Sequence, residues 1–201
     1  MTENHIRKNA AKISRSCIFF LFVIPYSHTV SVIHKGDSFM FRTMRRSKQQ
    51  LPQDAAVEIL QKNTGGTLAL LGDEDYPYAV PLSYVYSDGK LYFHSASTGH
   101  KIDAVARHDK ASFCVIDQDL IVPEKYTTYF RSVIAFGRIR RIEDPEEMAR
   151  IATMLAMKYS ADYEAGIHQE VRSSLHHMAI LELTIEHMTA KESIELVKAR
   201  T

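Results

Sequence analysis

Two alternating segments on either side of Asp88-Gly89 constrain the fold of this chain most strongly. From Tyr78 to Tyr86, Tyr, Val and Leu residues occupy every second position, and the partner segment runs from Lys90 to His94. Period two places successive side chains on opposite faces of a β-strand. Asp-Gly suits a two-residue type I′ turn, because both central positions of that turn take positive φ. The sequence therefore predicts an antiparallel hairpin, with Pro81 near a sheet edge or a bulge because proline has no N–H to donate.

Further periodic segments extend the prediction over the rest of the chain. We expect strands over Thr67–Leu71, Ala111–Ile116, Tyr126–Ile142 with a bend at Gly137, and His177–His187, and helices before Asn63, after Thr98, after Asp144-Pro145, and over Asp162–Arg172. About six strands joined by hairpins, with helices at the periphery, are typical of a mainly β protein rather than of regular βαβ units. We predict an antiparallel barrel with helices packed around it.

A turn rich in hydroxyl groups, His94-Ser-Ala-Ser-Thr-Gly-His-Lys101, follows the hairpin and leads into a short helix capped by Ser97 or Thr98. The hydroxyls of Ser95, Ser97 and Thr98, the N–H groups at the helix start and the ammonium of Lys101 together suit an anion such as a phosphate. The chain has no G-x-x-x-x-G-K-[ST] loop and no G-x-G-x-x-G turn, which disfavours nucleoside triphosphates and Rossmann dinucleotide binding. An ordinary capped helix with a solvated lysine explains the same spacing equally well.

Composition excludes several classes of function. The 201 residues suit a single domain, and the part from Met44 onward holds 19 Lys or Arg against 22 Asp or Glu, which argues against a nucleic-acid-binding surface. The two cysteines, Cys17 and Cys114, form no metal-binding pair, and Cys114 lies in an apolar run typical of a core. The spacing of His94, His100 and His108 is not that of metal ligands. We expect no metal site.

The first 43 residues differ from the rest of the chain. They hold six Lys or Arg against two Asp or Glu, and the apolar run from Cys17 to Ile24 follows a basic start, as in a secretory signal. The run is shorter than the ~20 apolar residues that a membrane span needs, and no Ala-x-Ala cleavage site follows it. A translation start at Met40 or Met44 is the alternative that we prefer. We therefore treat residues 1–43 as an extension and residues 44–201 as the folded domain of a cytoplasmic protein that does not enter a membrane.

Seven segments of the folded domain, taken in order, resemble one known family. They are Met44-Arg-Arg, Gly66-Thr-Leu-Ala-Leu, Tyr76-Pro-Tyr-Ala-Val-Pro-Leu-Ser-Tyr-Val-Tyr, Leu91-Tyr-Phe-His-Ser-Ala, Gly99-His-Lys, Ser112-Phe-Cys-Val and Tyr129-Phe-Arg-Ser-Val-Ile-Ala-Phe-Gly. Together they resemble the NimA-type nitroimidazole-resistance proteins, which belong to the pyridoxamine 5′-phosphate oxidase-like, FMN-binding split β-barrels. The resemblance begins at about residue 40 and continues to the carboxyl terminus.

This resemblance implies a homodimer with FMN at the subunit interface. It places a strand beside the isoalloxazine ring, where the main chain forms hydrogen bonds, and this strand comprises Val80, Pro81, Leu82, Ser83, Tyr84 and Val85. It assigns phosphate binding to a turn in which Lys101 supplies the positive charge. This turn comprises Ser95, Ala96, Ser97, Thr98, Gly99, His100 and Lys101. Ser132 and Val133 match a strand that reaches the cofactor from the second subunit, and Arg131 is an alternative partner for the phosphate.

The same resemblance gives His94 a catalytic role at the end of its strand. A histidine beside a flavin can donate a proton to a substrate that is being reduced, or position it, because histidine titrates near neutral pH. The predicted function is FMN-dependent reduction of a small acceptor, such as a nitroimidazole-type nitro compound, with a nicotinamide electron donor. The alternative is a non-catalytic split barrel that stores or senses flavin or haem, with His94 or another histidine as the axial ligand.

Overall fold

The computed structural model describes residues 41–200. The extension predicted over residues 1–43 lies almost entirely outside the described residues, and it stays a prediction. Within residues 41–200 there are eight β-strands and five α-helices. The strands are Gln50–Leu51 (β1), Gly65–Leu71 (β2), Pro77–Ser83 (β3), Val85–Ser87 (β4), Lys90–Ala96 (β5), Lys110–Val122 (β6), Thr127–Ile142 (β7) and Met178–Glu192 (β8). The helices are Gln53–Lys62 (α1), His100–Arg107 (α2), Pro145–Ser160 (α3), Glu164–Ser174 (α4) and Ile194–Arg200 (α5).

All eight strands form one antiparallel sheet. Its hydrogen-bonded order is β3-β2-β6-β7-β8-β5-β4, and β1 pairs with the last residues of β8. One edge of β8 pairs with β7, and the other edge pairs first with β5 and then with β1. The predicted mainly β fold with hairpins and peripheral helices is therefore confirmed. No helix within residues 41–200 combines the length and the apolar character that crossing a bilayer requires.

The chain connectivity requires this sheet to curl. β3 and β4 lie at opposite ends of the strand order, yet only Tyr84 separates them in sequence. A flat sheet with seven strands in this order would hold its edge strands roughly 29 Å apart, at about 4.8 Å per strand, whereas two peptide units reach no further than about 7 Å. The sheet therefore closes on itself until its two edge strands meet at Tyr84, as in a barrel.

Two apolar clusters pack on the two faces of the sheet. The first contains Phe93, Phe113 and Leu183 and receives buried side chains from α1 and α2. The second lies between the sheet and the pair α3 and α4, and includes Tyr92 and Ile180. Adjacent residues on one strand thus enter different clusters, because successive side chains of a strand point to opposite faces.

Three local predictions are confirmed. Ser87 pairs with Lys90 across Asp88-Gly89, and the φ values of the two turn residues are 50° and 77°. The register of β7 and β8 shifts between Phe136 and Gly137, which is the predicted bend. The carboxylate of Asp144 accepts a hydrogen bond of 2.9 Å from the N–H of Glu147, and this caps α3.

Other expectations require correction. The single strand expected from Tyr78 to Tyr86 is interrupted at Tyr84, where the chain passes from one edge of the sheet to the other. β1 and α5 were not predicted, because two or seven residues give too little periodicity to detect. β6 and β8 extend well beyond the segments Ala111–Ile116 and His177–His187.

Candidate functional site

The predicted phosphate turn surrounds a real hollow. The Nζ of Lys101 donates a hydrogen bond of 2.8 Å to the Oγ of Ser95, which joins the start of α2 to the end of β5. The cavity beside this pair has a volume of about 340 Å³. It is lined by Tyr78, His94, Ser95, Ala96, Thr98, Gly99, His100 and Lys101. Of the seven residues of the predicted turn, only Ser97 does not line it.

Lys101 is partly buried and has no counter-charge among the described residues. Desolvation lowers the pKa of its ammonium group, since the charged form loses water in this partly buried position. Within residues 41–200, Lys101 has no carboxylate partner, and its hydrogen bond goes to a neutral hydroxyl. A phosphate beside Lys101 supplies the missing charge and favours the protonated ammonium.

The start of α2 differs from the prediction. Gly99 is the N-cap with φ 113°, and neither Ser97 nor Thr98 caps the helix through its side chain. This φ lies in a region that favours glycine, because a Cβ crowds the backbone there. The N–H of Ser97 donates to the carbonyl of His177 at 3.3 Å, so this amide is already used. The hydroxyl of Thr98 remains on the wall of the hollow.

Tyr78 is a residue of the hollow that the sequence reasoning did not assign to it. Its ring stacks on the imidazole of His100, with ring centroids 4.1 Å apart and planes inclined by 21°. His100 also lies 3.7 Å from a carboxylate oxygen of Asp73. This stack ties β3 to α2 across the mouth of the hollow. The signal for Tyr78 in the sequence was the tyrosine-rich pattern of its strand. That pattern predicts a packed aromatic side chain, but it does not identify the residue that the side chain contacts.

The strand expected to run beside a flavin ring offers an unpaired edge. Within the described residues, β3 pairs with β2 alone and lies at the end of the sheet, as Pro81 predicted. Val80 and Leu82 pack against the first apolar cluster, so their side chains turn away from the surface. Pro81 and Ser83 are exposed. The free backbone edge of β3 is therefore the part of this strand that a planar ligand can reach.

The ring and the backbone of Tyr84 are both engaged within the chain. Its ring is fully buried, its N–H donates to the hydroxyl of Tyr159 at 2.8 Å, and its carbonyl accepts from Tyr159 at 2.7 Å and from Lys158 at 3.1 Å. The Nζ of Lys158 also lies 4.2 Å from the centre of the Tyr84 ring. Desolvation raises the pKa of Tyr84 and lowers that of Lys158. These contacts give Tyr84 a structural role within one chain, and its contact with a cofactor stays a prediction.

A second cavity, of about 410 Å³, adjoins the first at His94. Helices α3 and α4 form most of its wall, and the lining is mainly apolar. It is lined by Ser83, His94, Ala152, Leu155, Ala156, Tyr159, Glu170, Val171, Ser174 and Met178. The Oγ of Ser174 donates to Glu170 at 2.8 Å. His94 is exposed and belongs to both linings, so it stands between the predicted phosphate site and an apolar chamber.

Three predicted residues lie elsewhere in the chain. Arg131, Ser132 and Val133 are on β7 opposite Glu192, Lys191 and Ala190 at the end of β8, whereas the turn after β5 lies at its beginning. Arg131 is held by Glu192 at 3.1 Å and Asp117 at 3.5 Å. Val133 is fully buried. Within one chain these residues do not meet the Lys101 hollow, and their role at a shared site remains a prediction about a dimer.

No group of three or more His, Cys, Asp or Glu within residues 41–200 is arranged to hold a metal ion. Cys114 is partly buried, and desolvation raises the pKa of its thiol, which makes it a poor nucleophile.

Comparison with known proteins adds an independent observation. A family model described as pyridoxamine 5′-phosphate oxidase matches residues 52–192, which is most of the chain. Among curated proteins, none matches the sequence.

Several solved structures share the fold. A candidate 5-nitroimidazole antibiotic resistance protein from Bacteroides thetaiotaomicron superposes with a TM-score of 0.60 at 21% identity, over 71% of this chain and 86% of that one. A conserved hypothetical protein from Mycobacterium tuberculosis gives 0.66 at 18%, over 75% and 90%. A FAD- and haem-binding protein from Mycobacterium smegmatis gives 0.62 at 20%, over 76% and 80%. These likenesses and the family match confirm the predicted split-barrel fold.

Proposed function

The chain belongs to the pyridoxamine 5′-phosphate oxidase family, and we propose that it is an FMN-dependent oxidoreductase acting on a small acceptor. The observation that carries this proposal is the position of His94. This histidine separates a hollow that has the groups for a phosphate from an apolar chamber of about 410 Å³. A phosphorylated cofactor on one side and an apolar acceptor on the other would both lie beside His94.

The residues present fit FMN. Lys101 supplies a cation without a carboxylate partner among residues 41–200, and Ser95 and Thr98 supply hydroxyls beside it. The first N–H groups of α2 add donors, since they have no partner within the helix. The unpaired edge of β3 supplies main-chain groups for the ring. When bound, FMN supplies the electron-transfer chemistry, and the protein supplies binding and orientation.

The chamber beside His94 suits a small, largely apolar acceptor. Most of its wall comes from apolar residues such as Leu155 and Val171, which exclude water, while Ser174 and Glu170 add a small polar group. Reduction of a nitro group to the nitroso level takes two electrons and two protons and releases one water molecule. His94 is placed to donate a proton to an acceptor oxygen. We therefore infer a nitro-substituted heterocycle as the acceptor class, with a nicotinamide as the electron donor.

We propose that the functional unit is a homodimer. The second half of β6 and the turn that follows it carry exposed apolar side chains, namely Ile116, Leu120, Ile121 and Tyr126, whose exposed fractions run from 55% to 98%. Exposed apolar groups of this kind mark interaction surfaces. Ile116 pairs with Ser132 across the two strands, so a partner on this surface lies next to Ser132. This supports the role of Ser132 at a shared cofactor site.

One observation favours the haem alternative. An exposed histidine on the wall of an apolar chamber is also what an axial haem ligand needs. In that case the protein stores or senses a cofactor rather than reducing an acceptor.

The absorption spectrum of the purified protein, followed by identification of the cofactor released on denaturation, tests the proposal. Flavin bands and released FMN are expected, together with nitroimidazole-dependent oxidation of a reduced nicotinamide. A Soret band that disappears in His94→Ala favours the haem alternative. If neither chromophore appears after incubation with FMN or haem, both functions are wrong.

A further inference from the structure

The apolar chamber beside His94 contains a single carboxylate. Among the described residues that line it, Glu170 on α4 is the only acid, and none is a lysine or an arginine. A glutamate side chain is negatively charged near neutral pH. Half of the lining residues are apolar, namely Ala152, Leu155, Ala156, Val171 and Met178. The chamber therefore combines one negative group with an apolar wall.

The other polar groups of the chamber do not neutralise Glu170. The hydroxyl of Tyr159 is engaged by backbone groups, and desolvation raises its pKa, which keeps it uncharged. Ser83 and Ser174 contribute neutral hydroxyls. His94 is the remaining lining residue that can become positive, and within residues 41–200 no ion pair joins it to Glu170. The negative charge of the chamber is thus left for a ligand to balance.

Glu170 has one carboxylate oxygen that a ligand can use. Its Oε1 accepts a hydrogen bond of 2.8 Å from the hydroxyl of Ser174, one turn further along α4. Its Oε2 forms neither a hydrogen bond nor an ion pair with any residue in the described part of the chain. His168 and Arg172 are two positions away on the same helix, a spacing at which side chains do not face each other. Glu170 is exposed as well as part of the lining, so a ligand that enters from solvent can reach its carboxylate.

A carboxylate beside an apolar wall discriminates between ligands by their charge. A protonated amine loses water when it enters the chamber, and a hydrogen bond to the carboxylate of Glu170 offsets this loss. A negatively charged ligand meets a like charge there, and among the described lining residues it finds no lysine or arginine. A neutral ligand gains only the burial of its apolar surface. The chamber therefore favours a cation over a neutral compound, and a neutral compound over an anion.

We propose that Glu170 determines specificity by binding a protonated amine on the acceptor, so that the acceptor is a cationic nitroaromatic compound. The identity of the nitro group rests on the proposed reductase function, whereas the preference for a cation depends on Glu170. The amine lies beside Glu170 and the reducible group beside His94, and both residues line the same chamber. Glu170 transfers neither electrons nor protons, so it acts on binding of the acceptor.

Three nitro compounds of similar size and different charge test this inference: para-nitrobenzylamine, para-nitrobenzyl alcohol and para-nitrobenzoate. Steady-state reduction by the FMN-loaded protein with a reduced nicotinamide gives a KM for each. The KM of the amine should be about fivefold or more below that of the alcohol, and the KM of the benzoate should be the highest.

Glu170→Gln removes the charge and keeps an oxygen that can accept the hydrogen bond from Ser174. It should raise the KM of the amine about fivefold or more and leave the KM of the alcohol and kcat for both compounds unchanged. Glu170→Lys should reverse the order, with the benzoate favoured over the amine. Glu164→Gln is the matched control, because Glu164 is exposed on the same helix and does not line the chamber.

Calorimetric titration with benzylamine, which has no nitro group, measures binding without turnover. Saturable binding that weakens in Glu170→Gln supports the preference for a cation, and if no nitro compound is then reduced, only the proposed reductase function is wrong. The inference is wrong if the three nitro compounds are reduced with the same KM, or if Glu170→Gln changes the KM of the amine and the alcohol alike. It is also wrong if neither benzylamine nor para-nitrobenzylamine binds at millimolar concentration.

Discussion

The hydroxyl of Tyr159 on α3 accepts a hydrogen bond of 2.8 Å from the N–H of Tyr84, the single residue between β3 and β4. The same hydroxyl lies 2.7 Å from the carbonyl of Tyr84 and 2.6 Å from that of Thr64. One side chain of α3 thus forms hydrogen bonds with backbone groups at the point where the sheet closes. It also lines the chamber beside His94, so the closure of the barrel and the shape of the candidate site depend on one contact.

We expect Tyr159→Phe to destabilise the protein by about 1–3 kcal/mol, because it leaves the N–H of Tyr84 without a partner. The measurement is urea unfolding followed by circular dichroism. Tyr163→Phe is the matched control, since Tyr163 is 77% exposed and should change stability little. Equal stability of the two variants would show that water replaces the hydroxyl at no cost.

Lys101→Met should weaken FMN binding about ten- to a hundredfold, the effect of losing a charge-assisted hydrogen bond of about 1.5–3 kcal/mol. Fluorescence titration of the apoprotein with FMN measures this. Lys110→Met, at an exposed position on β6, should bind FMN normally. Riboflavin, which has no phosphate, should bind both variants equally well. A Lys101→Met protein with wild-type FMN affinity removes Lys101 from the phosphate site.

His94→Gln should retain the cofactor yet slow reduction of the acceptor by about 10²-fold or more, since glutamine cannot transfer a proton. Stopped-flow measurement of the oxidative half-reaction isolates this step from reduction of the cofactor. His168→Gln on α4 is the control, because His168 is exposed and outside both cavities. If acceptor reduction proceeds at the wild-type rate, His94 has only a structural role.

Glu182 should make the stability of the protein sensitive to acid. Its carboxylate is almost fully buried; burial raises its pKa, but hydrogen bonds from Arg140 at 2.9 Å and Lys90 at 3.0 Å outweigh this and lower the pKa from its ordinary value. A lowered pKa in the folded state means that the stabilisation is present above the unfolded pKa and is lost as pH falls through the folded one.

Accordingly, Glu182→Gln should cost about 1.5–3 kcal/mol at neutral pH, and the difference from wild type should shrink below about pH 4.5. Urea unfolding at a series of pH values tests this, with Glu58→Gln as an exposed control on α1. A difference that stays constant down to low pH contradicts the assignment.

Ile121→Asp should convert the proposed dimer to a monomer, because a charge on an exposed apolar surface opposes its burial in an interface. Light scattering coupled to size exclusion measures the mass. Asp119→Asn, on the same strand, is the control. If the variant remains a dimer, the partner binds elsewhere; if it is a monomer that still binds FMN with full affinity, the cofactor site lies within one chain.

Much of the fold was readable from short stretches of sequence. Alternation on both sides of Asp88-Gly89 predicted the hairpin, and Asp144-Pro145 predicted the start of α3. These features depend on neighbouring residues, whose conformational preferences are encoded locally. The break at Tyr84 was not predicted, because the alternating pattern continues through it and only the pairing of distant strands interrupts it.

The candidate site, too, was predicted only in part from the sequence. Ser95 and Lys101 were predicted to act together, and the structure joins them by a hydrogen bond. The stack of Tyr78 on His100 and the chamber wall from α3 and α4 were not foreseen, because they connect segments far apart in the chain.

The sequence alone determined most of the element types, the hydroxyl groups and lysine of the turn before α2 and the family resemblance, since each rests on local pattern or residue identity. Only the tertiary structure decided that His94 lines two cavities and that Tyr84 lies where the sheet closes, with its backbone hydrogen-bonded to Tyr159. The physical reason is that the relative positions of distant residues in a barrel depend on the pairing of many strands, and no single segment of the sequence specifies all of these pairings.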